Sequence, residues 1–306
     1  MLIYLDTKDL INLLEHDRPR PIQEFDAILR AGLHNLAVSF SNVKELSRPL
    51  LEPGARTVVT RLLNQLEKLP LRYIREGTII RDELSEAREA FAGGREYRAI
   101  SPFVARFDEA FSPFLRPLAS AMYLTLSLAE SVFTLWQLNP SWLGPPTSHG
   151  LPPIKVHLEA DRMHRGPSDA ASNFAFAVAN HLRDLATRKL LPDDLEAWAL
   201  TSSAEDRKCF AGWIYADPRR CPALRLSDEF YHAVRKNASY TPSDSLVGDF
   251  AHIKCLPYVD LITLDRGTHD HVRRIADRII PGCADKICGN LEEVLRRLAR
   301  GDCPSS

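Results

Sequence analysis

"PYVDLITLDR", residues 257–266, is the stretch on which the reading of this chain turns. Leu261, Ile262, Thr263 and Leu264 form a short, almost unbroken apolar run, the pattern of a strand buried on both faces. An aspartate stands at each end, Asp260 at the entrance and Asp265 at the exit. A carboxylate beside an apolar core is costly unless something pairs with it. That partner is an arginine, a helix N-terminus or a metal ion, and the stretch alone does not choose.

Outward from this strand the chain alternates. Residues 226–237 (LSDEFYHAVRKN) have the spacing of an amphipathic helix, and 242–256 (PSDSLVGDFAHIKCL) of a second, opened by Pro242 and Ser243. A helix over 268–280, a short strand in DKICG (285–289) and a final helix over 291–300 follow. The first third repeats the theme. LIYL (2–5), NLAVSF (35–40) and LRYI (71–74) read as strands. Helices are expected with Leu10, Leu13 and Leu14 on one side, over 21–32, over 42–51 with Ser41 as N-cap, near 55–69, and over 78–94, closed by glycines. Short apolar strands alternating with helices predict an α/β fold, a three-layer α/β/α arrangement around a parallel sheet. In 101–224 the strand pattern disappears. That segment holds all four tryptophans, long apolar helical stretches and the turn-rich connector NPSWLGPPTSHGLPP (139–153). It is read as a helical insertion within one discontinuous domain formed by 1–100 and 225–306.

Composition excludes little. The chain has 306 residues, 45% of them hydrophobic, enough for a large core. Lys and Arg number 39 against 40 Asp and Glu, so polyanion binding needs a local basic face rather than global charge. Six scattered cysteines without a CxxC pair predict reduced thiols and a cytoplasmic protein. The N-terminus lacks a basic lead before its apolar residues and reads as a first strand, not a signal peptide. Residues 117–138 are long enough to span a bilayer, but Glu130 and frequent Ser and Thr make them a helix inside the protein. No membrane association is expected.

In open parallel sheets, ligands bind beyond the carboxyl ends of the strands. Asp6 follows LIYL, Asp265 follows LITL, and Glu45 lies early in the helix after strand 35–40. Asp244 and Asp249 lie toward the start of the helix preceding the final strands. Singly these are helix caps or solvated side chains; Asp265 also has Arg266 and Arg273 as potential partners. A parallel sheet would bring Asp6, Glu45 and Asp265 to one edge. Crowded carboxylates raise one another's pKa, and a hard divalent cation such as Mg²⁺ or Mn²⁺ relieves them. Phosphodiester hydrolysis is the chemistry such an ion supports.

These residues carry a resemblance. IYLDT (3–7), VSFSNVKEL (38–46) and DFAHIKCLPYVDLITLD (249–265) resemble a PIN-like domain, the fold of metal-dependent nucleases found in RNA-cleaving toxins and RNA-processing enzymes. The resemblance covers about 1–90 and 225–300. It implies metal-site carboxylates at Asp6, Glu45 and Asp265, with the fourth from the helix carrying Asp244 and Asp249. Those two are turned about 140° apart on a helix, and Asp249 is preferred as the closer match in spacing. Thr7 and Thr263 match supporting hydroxyl positions, and Asp260 marks the strand entrance. The implied activity is a Mg²⁺- or Mn²⁺-dependent endoribonuclease acting on single-stranded RNA. The alternatives are a flap-type or single-strand DNA nuclease, and a non-cleaving scaffold that binds RNA or protein. The simplest toxin-type members are much shorter and lack a large insertion, which points to a specialised nuclease. The insertion shapes substrate access, binds a partner or self-associates.

Other motifs are weaker. His252 shares a helical face with Asp249 and is read as structural rather than as a general base. No GxSxG surrounds Ser39, and Lys8 stands where an aspartate-nucleophile phosphatase needs its second aspartate. Neither a P-loop nor GxGxxG is found. Of the basic groups, Arg266, Arg273 and Arg274 follow Asp265 most closely and are the candidates for phosphate contact. Arg162, His164 and Arg165, and Arg219, Arg220 and Arg225, are read as solvated surface.

Overall fold

The computed structural model describes residues 1–15, 19–111, 126–138, 143, 169–237 and 246–301. The first third builds one side of a sheet: β1 (Leu2–Tyr4), α1 (Thr7–Leu14), α2 (Arg20–Arg30), β2 (Asn35–Ser39), α3 (Phe40–Ser47), α4 (Arg56–Glu67), β3 (Leu71–Ile74) and α5 (Ile79–Gly93). α5 ends at Gly94, whose φ of 59° is the left-handed cap expected of a glycine. Next come β4 (Phe103–Val104), α6 (Phe107–Phe111), α7 (Leu128–Leu138), α8 (Ala170–Thr187), α9 (Asp193–Thr201) and α10 (Ala204–Tyr215). The chain then returns to the sheet through α11 (Pro222–Lys236), α12 (Leu246–Ile253), β5 (Leu261–Thr263), α13 (Arg266–Ile279), β6 (Ile287–Cys288) and α14 (Leu291–Arg300).

The sheet runs β4-β3-β2-β1-β5-β6 and is parallel except for β4, which pairs antiparallel with β3. The segment expected to be free of strands thus donates an edge strand. Two residues after Pro102 are too few to show a periodic pattern; β4 exists because β3 offers an open edge. β2 and β3 extend the sheet on one side of β1, and β5 and β6 on the other. The order therefore reverses between β1 and β5, where Tyr4 is opposite Ile262, and the carboxyl ends of those two strands are where open parallel sheets bind ligands.

Alternation along the strands builds two cores. Ile3, Leu5, Leu36, Val38 and Leu261 face one way, against Leu10 and Leu13 of α1, Phe25 of α2, Leu63 of α4 and Val294 of α14. Tyr4, Ala37, Ile74 and Ile262 face the other, against Phe230 and Val234 of α11 and Val272 and Ile275 of α13. These are the three layers. Segment 101–224 divides its attachment. α7 lies on α4 and puts Val132 and Phe133 into the first core, whereas α8, α9 and α10 build a third core on Ile80, Leu84 and Ala87 of α5. Residues 117–125 lie outside the described residues, and no described helix is long and apolar enough to cross a membrane. The described cysteines are free thiols, Cys209 exposed and Cys221, Cys255, Cys283 and Cys288 buried; Cys303 lies outside the described residues.

One buried carboxylate ties the third core to the sheet layers. Glu83 of α5 is wholly buried and accepts hydrogen bonds from the N–H groups of Ala223 (2.8 Å) and Leu224 (3.0 Å), in the first turn of α11, and from the Tyr258 hydroxyl. Burial pushes its pKa up to about 7, against those three donors. Glu83→Ala would strip three donors of their acceptor at once. A destabilisation of about 2–4 kcal/mol is expected in urea unfolding, with Glu83→Gln costing less. An unchanged midpoint in Glu83→Ala would contradict this role.

Candidate functional site

The two aspartates that bracket β5 separate at once. Asp260 accepts from the Leu2 N–H at 2.7 Å and returns its own N–H to the Leu2 carbonyl at 2.9 Å, so it pins the entrances of β1 and β5 together. Asp265 caps α13. Its Oδ1 accepts from the N–H groups of Gly267 (2.7 Å) and Thr268 (3.1 Å), and its Oδ2 from the Thr268 hydroxyl (3.1 Å). The partner left open by the sequence is a helix N-terminus. This cap starts α13 at Arg266, two residues before the expected boundary.

Asp6 caps α1 in the same way, its Oδ1 accepting from the Asp9 N–H at 2.9 Å. Because β1 and β5 are neighbours, the caps lie side by side. The Thr263 hydroxyl ties β5 to the start of α1: it accepts from the Asp6 N–H at 2.8 Å and bonds the Asp9 carboxylate, which also takes the Leu291 N–H. Burial raises the Asp6 pKa; the Asp9 N–H opposes this, while the charges of Asp9 and Asp265 add to it.

Asp249 arrives from α12. It is buried, and its carboxyl is hydrogen-bonded to that of Asp265. Burial, then the Asp265 charge and the bond between them, push Asp249 up to about 7, against the Thr268 hydroxyl and His252. Asp265 moves the other way. Burial would raise it, but the Thr268 and Gly267 donors and the Asp249 carboxyl hold it below the usual range. The two carboxyls titrate as a coupled pair, with burial and the Asp265 charge favouring the protonated form of Asp249.

Glu45 is placed by β2 and α3. Ser39, not Ser41, is the N-cap, in a capping box with Asn42. Both serines suit a cap by type; Ser39 wins because Asn42 stands three residues on. Ser41 instead bonds Glu76 Oε1 through its N–H (3.1 Å) and hydroxyl (2.5 Å). Asn42, fully buried, donates to the Leu5 carbonyl at 3.1 Å, tying α3 to the exit of β1. The Thr7 hydroxyl bonds Glu45, and His252 Nε2 stands 3.8 Å from Glu45 Oε1. Burial works against the ionised Glu45, but His252, Thr7 and Arg48 together lower its pKa. His252 in turn would be lowered by burial, and is raised by Glu45, Glu76 and Asp6.

The structure thus brings Asp265 within the field of Asp6 and of Asp249, and His252 within that of Glu45 and Asp6. Asp244 lies outside the described residues. Arg266 is exposed at the first turn of α13, beside Asp265. Arg273 and Arg274 lie about 10–12 Å further along that helix. Arg266 and Arg274 act on Asp270, while Arg273 bears on Cys288, so the three form no single track to the site. Arg219 pairs with Asp217, Arg220 stacks on Trp213, and Arg225 is buried against Phe174 and Tyr215; they share no solvent face. Arg162, His164 and Arg165 lie outside the described residues. Sequence reasoning missed Glu76, which sits two residues beyond β3 and is buried with Oε2 unpartnered. The rule that found Asp6 and Asp265, a carboxylate just past a parallel strand, would have found it.

The donor set suits a hard divalent cation: carboxylates and hydroxyls, with negative charge that helps raise the Asp249 pKa. Among the described residues, however, no three His, Cys, Asp or Glu side chains are grouped closely enough to hold an ion. The residues fit a cation in chemistry and charge, without a formed cage.

An acid whose pKa is higher folded than unfolded binds more protons in the folded state, so its contribution to stability falls as pH rises between the two values. For Asp249 that window runs from the ordinary aspartate range to about 7. Asp265, lowered, acts only below it. Wild-type stability is therefore expected to decline from about pH 5 to 8. Glu83, raised to the same value, contributes over the same window, so Asp249→Asn should lose about half of that decline and exceed wild type at pH 8 by roughly 1–3 kcal/mol in urea unfolding. An unaltered pH slope in the variant would refute the raised proton affinity of Asp249.

Comparison with known proteins found no matching family model, no matching curated protein and no matching solved structure.

Proposed function

We propose that the chain is a PIN-like, Mg²⁺- or Mn²⁺-dependent nuclease acting on single-stranded RNA in the cytoplasm. The observation that supports this most is the burial of Asp249 against Asp265 at the carboxyl ends of β1 and β5. Capping accounts for Asp6 and Asp265 one at a time. It does not account for a third carboxylate driven from another helix into the same field, at a cost in stability. Strongly perturbed carboxylates at a sheet's switch point cluster at working sites.

Asp6, Asp249 and Asp265, with Glu45, would hold the ion or its waters. When bound, the ion polarises a phosphoryl oxygen and lowers the pKa of an attacking water. The chain's own residues prepare the place. Thr263 and Asn42 fix the exit of β1, Thr7 and His252 hold Glu45, and Asp249 has its proton affinity raised. Asp265 and Arg266 are exposed, so a polymer can reach the rim, where Arg266 would meet its phosphate. The choice of RNA over flap-type or single-strand DNA rests on the sequence resemblance. Segment 101–224 would supply substrate access, a partner surface or self-association.

A second reading, a scaffold that binds RNA or protein without cutting, is favoured by one observation: no three acidic or histidine side chains are gathered in the described residues. Activity separates the two. Purified protein with Mn²⁺ is expected to cut single-stranded RNA faster than matched DNA, and a chelator should stop it. Asp6→Asn should abolish cutting while thermal stability stays within a few degrees. Cutting by Asp6→Asn and Asp265→Asn at the wild-type rate would remove the mechanism; RNA binding without cleavage would favour the scaffold.

A further inference from the structure

We propose that Gly248 and His252 of α12 form a seat that positions Glu45, which makes His252, with Tyr4 behind it, a positioning residue of the site. This inference rests on the reading of the carboxylates as a metal site and names how one of them is set. Residues 248 and 252 are four apart and share a face of α12. A Cβ added to Gly248 would come within 2.8 Å of Glu45 Oε1, so the carboxylate lies directly on the helix backbone. Any side chain at 248 would displace it. Glycine is a poor helix former, and Gly248 has no positive φ to require it. Room for Glu45 is the reason the structure offers.

The same oxygen, Oε1, is the one 3.8 Å from His252 Nε2. The imidazole is held from behind: its Nδ1 is 2.5 Å from the Tyr4 hydroxyl, which is 2.8 Å from Ser39 Oγ. Tyr4 is fully buried in the sheet and Ser39 is the N-cap of α3, the helix that carries Glu45. The chain Ser39–Tyr4–His252–Glu45 therefore closes a ring through β2, β1, α12 and α3. Asp249 follows Gly248 directly and meets Asp265. One helix thus presents Asp249 to the rim and sets the place of Glu45 beside it. A histidine serving packing alone would not need its far nitrogen turned to a half-exposed carboxylate.

The test is calorimetric titration of metal-free protein with Mn²⁺, without substrate, alongside thermal unfolding. Gly248→Ala and His252→Ala are expected to weaken Mn²⁺ binding about 10–100-fold, the range for residues that orient metal ligands. His252→Gln, which keeps a donor near Nε2, should recover most of that loss. Tyr4→Phe should give a smaller loss and serves as the variant if Gly248→Ala fails to fold. Wild-type affinity in folded His252→Ala, or in Gly248→Ala or Tyr4→Phe, overturns the seat while leaving the metal site standing. Absence of Mn²⁺ binding by wild type overturns both.

Discussion

Two carboxylates in hydrogen-bond contact cannot both be ionised away from a compensating charge, and Asp249 and Asp265 are in such contact. The pairing of β1 with β5 sets the place of Asp265. It sets the N-termini of α1 and α13 side by side, each capped by an aspartate that its own backbone N–H groups satisfy. Asp249 comes from α12 with no such donors of its own. Burial, and then the charge of Asp265, whose own N–H donors favour its ionised form, raise the Asp249 pKa. The result is a rim of carboxyl groups at the reversal of the sheet, with the proton affinity of Asp249 raised.

α12 is the hinge of that arrangement. It puts Asp249 against Asp265 on one side and lies on Glu45 on the other. Its own position depends on layers far from the rim. α11 packs on α13 and α12, and Glu83 of α5 satisfies the first turn of α11. Through that carboxylate the helices of the third core back the sheet layer that carries the site. The segment between the two halves of the sheet is therefore coupled mechanically to the rim, whatever else it binds.

Much of the fold was legible. LIYL, LRYI and LITL are short apolar runs that a doubly covered parallel sheet requires, and each is a strand within a residue of the expected limits. Asp6 and Asp265 were found by position past a strand end. What escaped depended on partners distant in sequence. β4 is too short to show a period and exists through pairing with β3. Ser39 and Ser41 are equivalent as residue types, and the Asn42 side chain decides between them. His252 is buried, as a structural histidine is, but its helical position does not name its partners, Tyr4 and Glu45, about 250 and 200 residues earlier. Glu76 was passed over because LRYI is followed by an arginine before the glutamate, which hid the pattern.

Burial and the neighbouring Asp265 charge raise the proton affinity of Asp249, and a divalent cation bound at the pair would displace that proton. Calorimetry of Mn²⁺ binding at about pH 6, in two buffers of different ionisation enthalpy, counts the protons released. Release of close to one proton per ion, absent in Asp249→Asn, is the result expected. Binding heats equal in the two buffers would contradict this, because an ion would then have entered without displacing that proton.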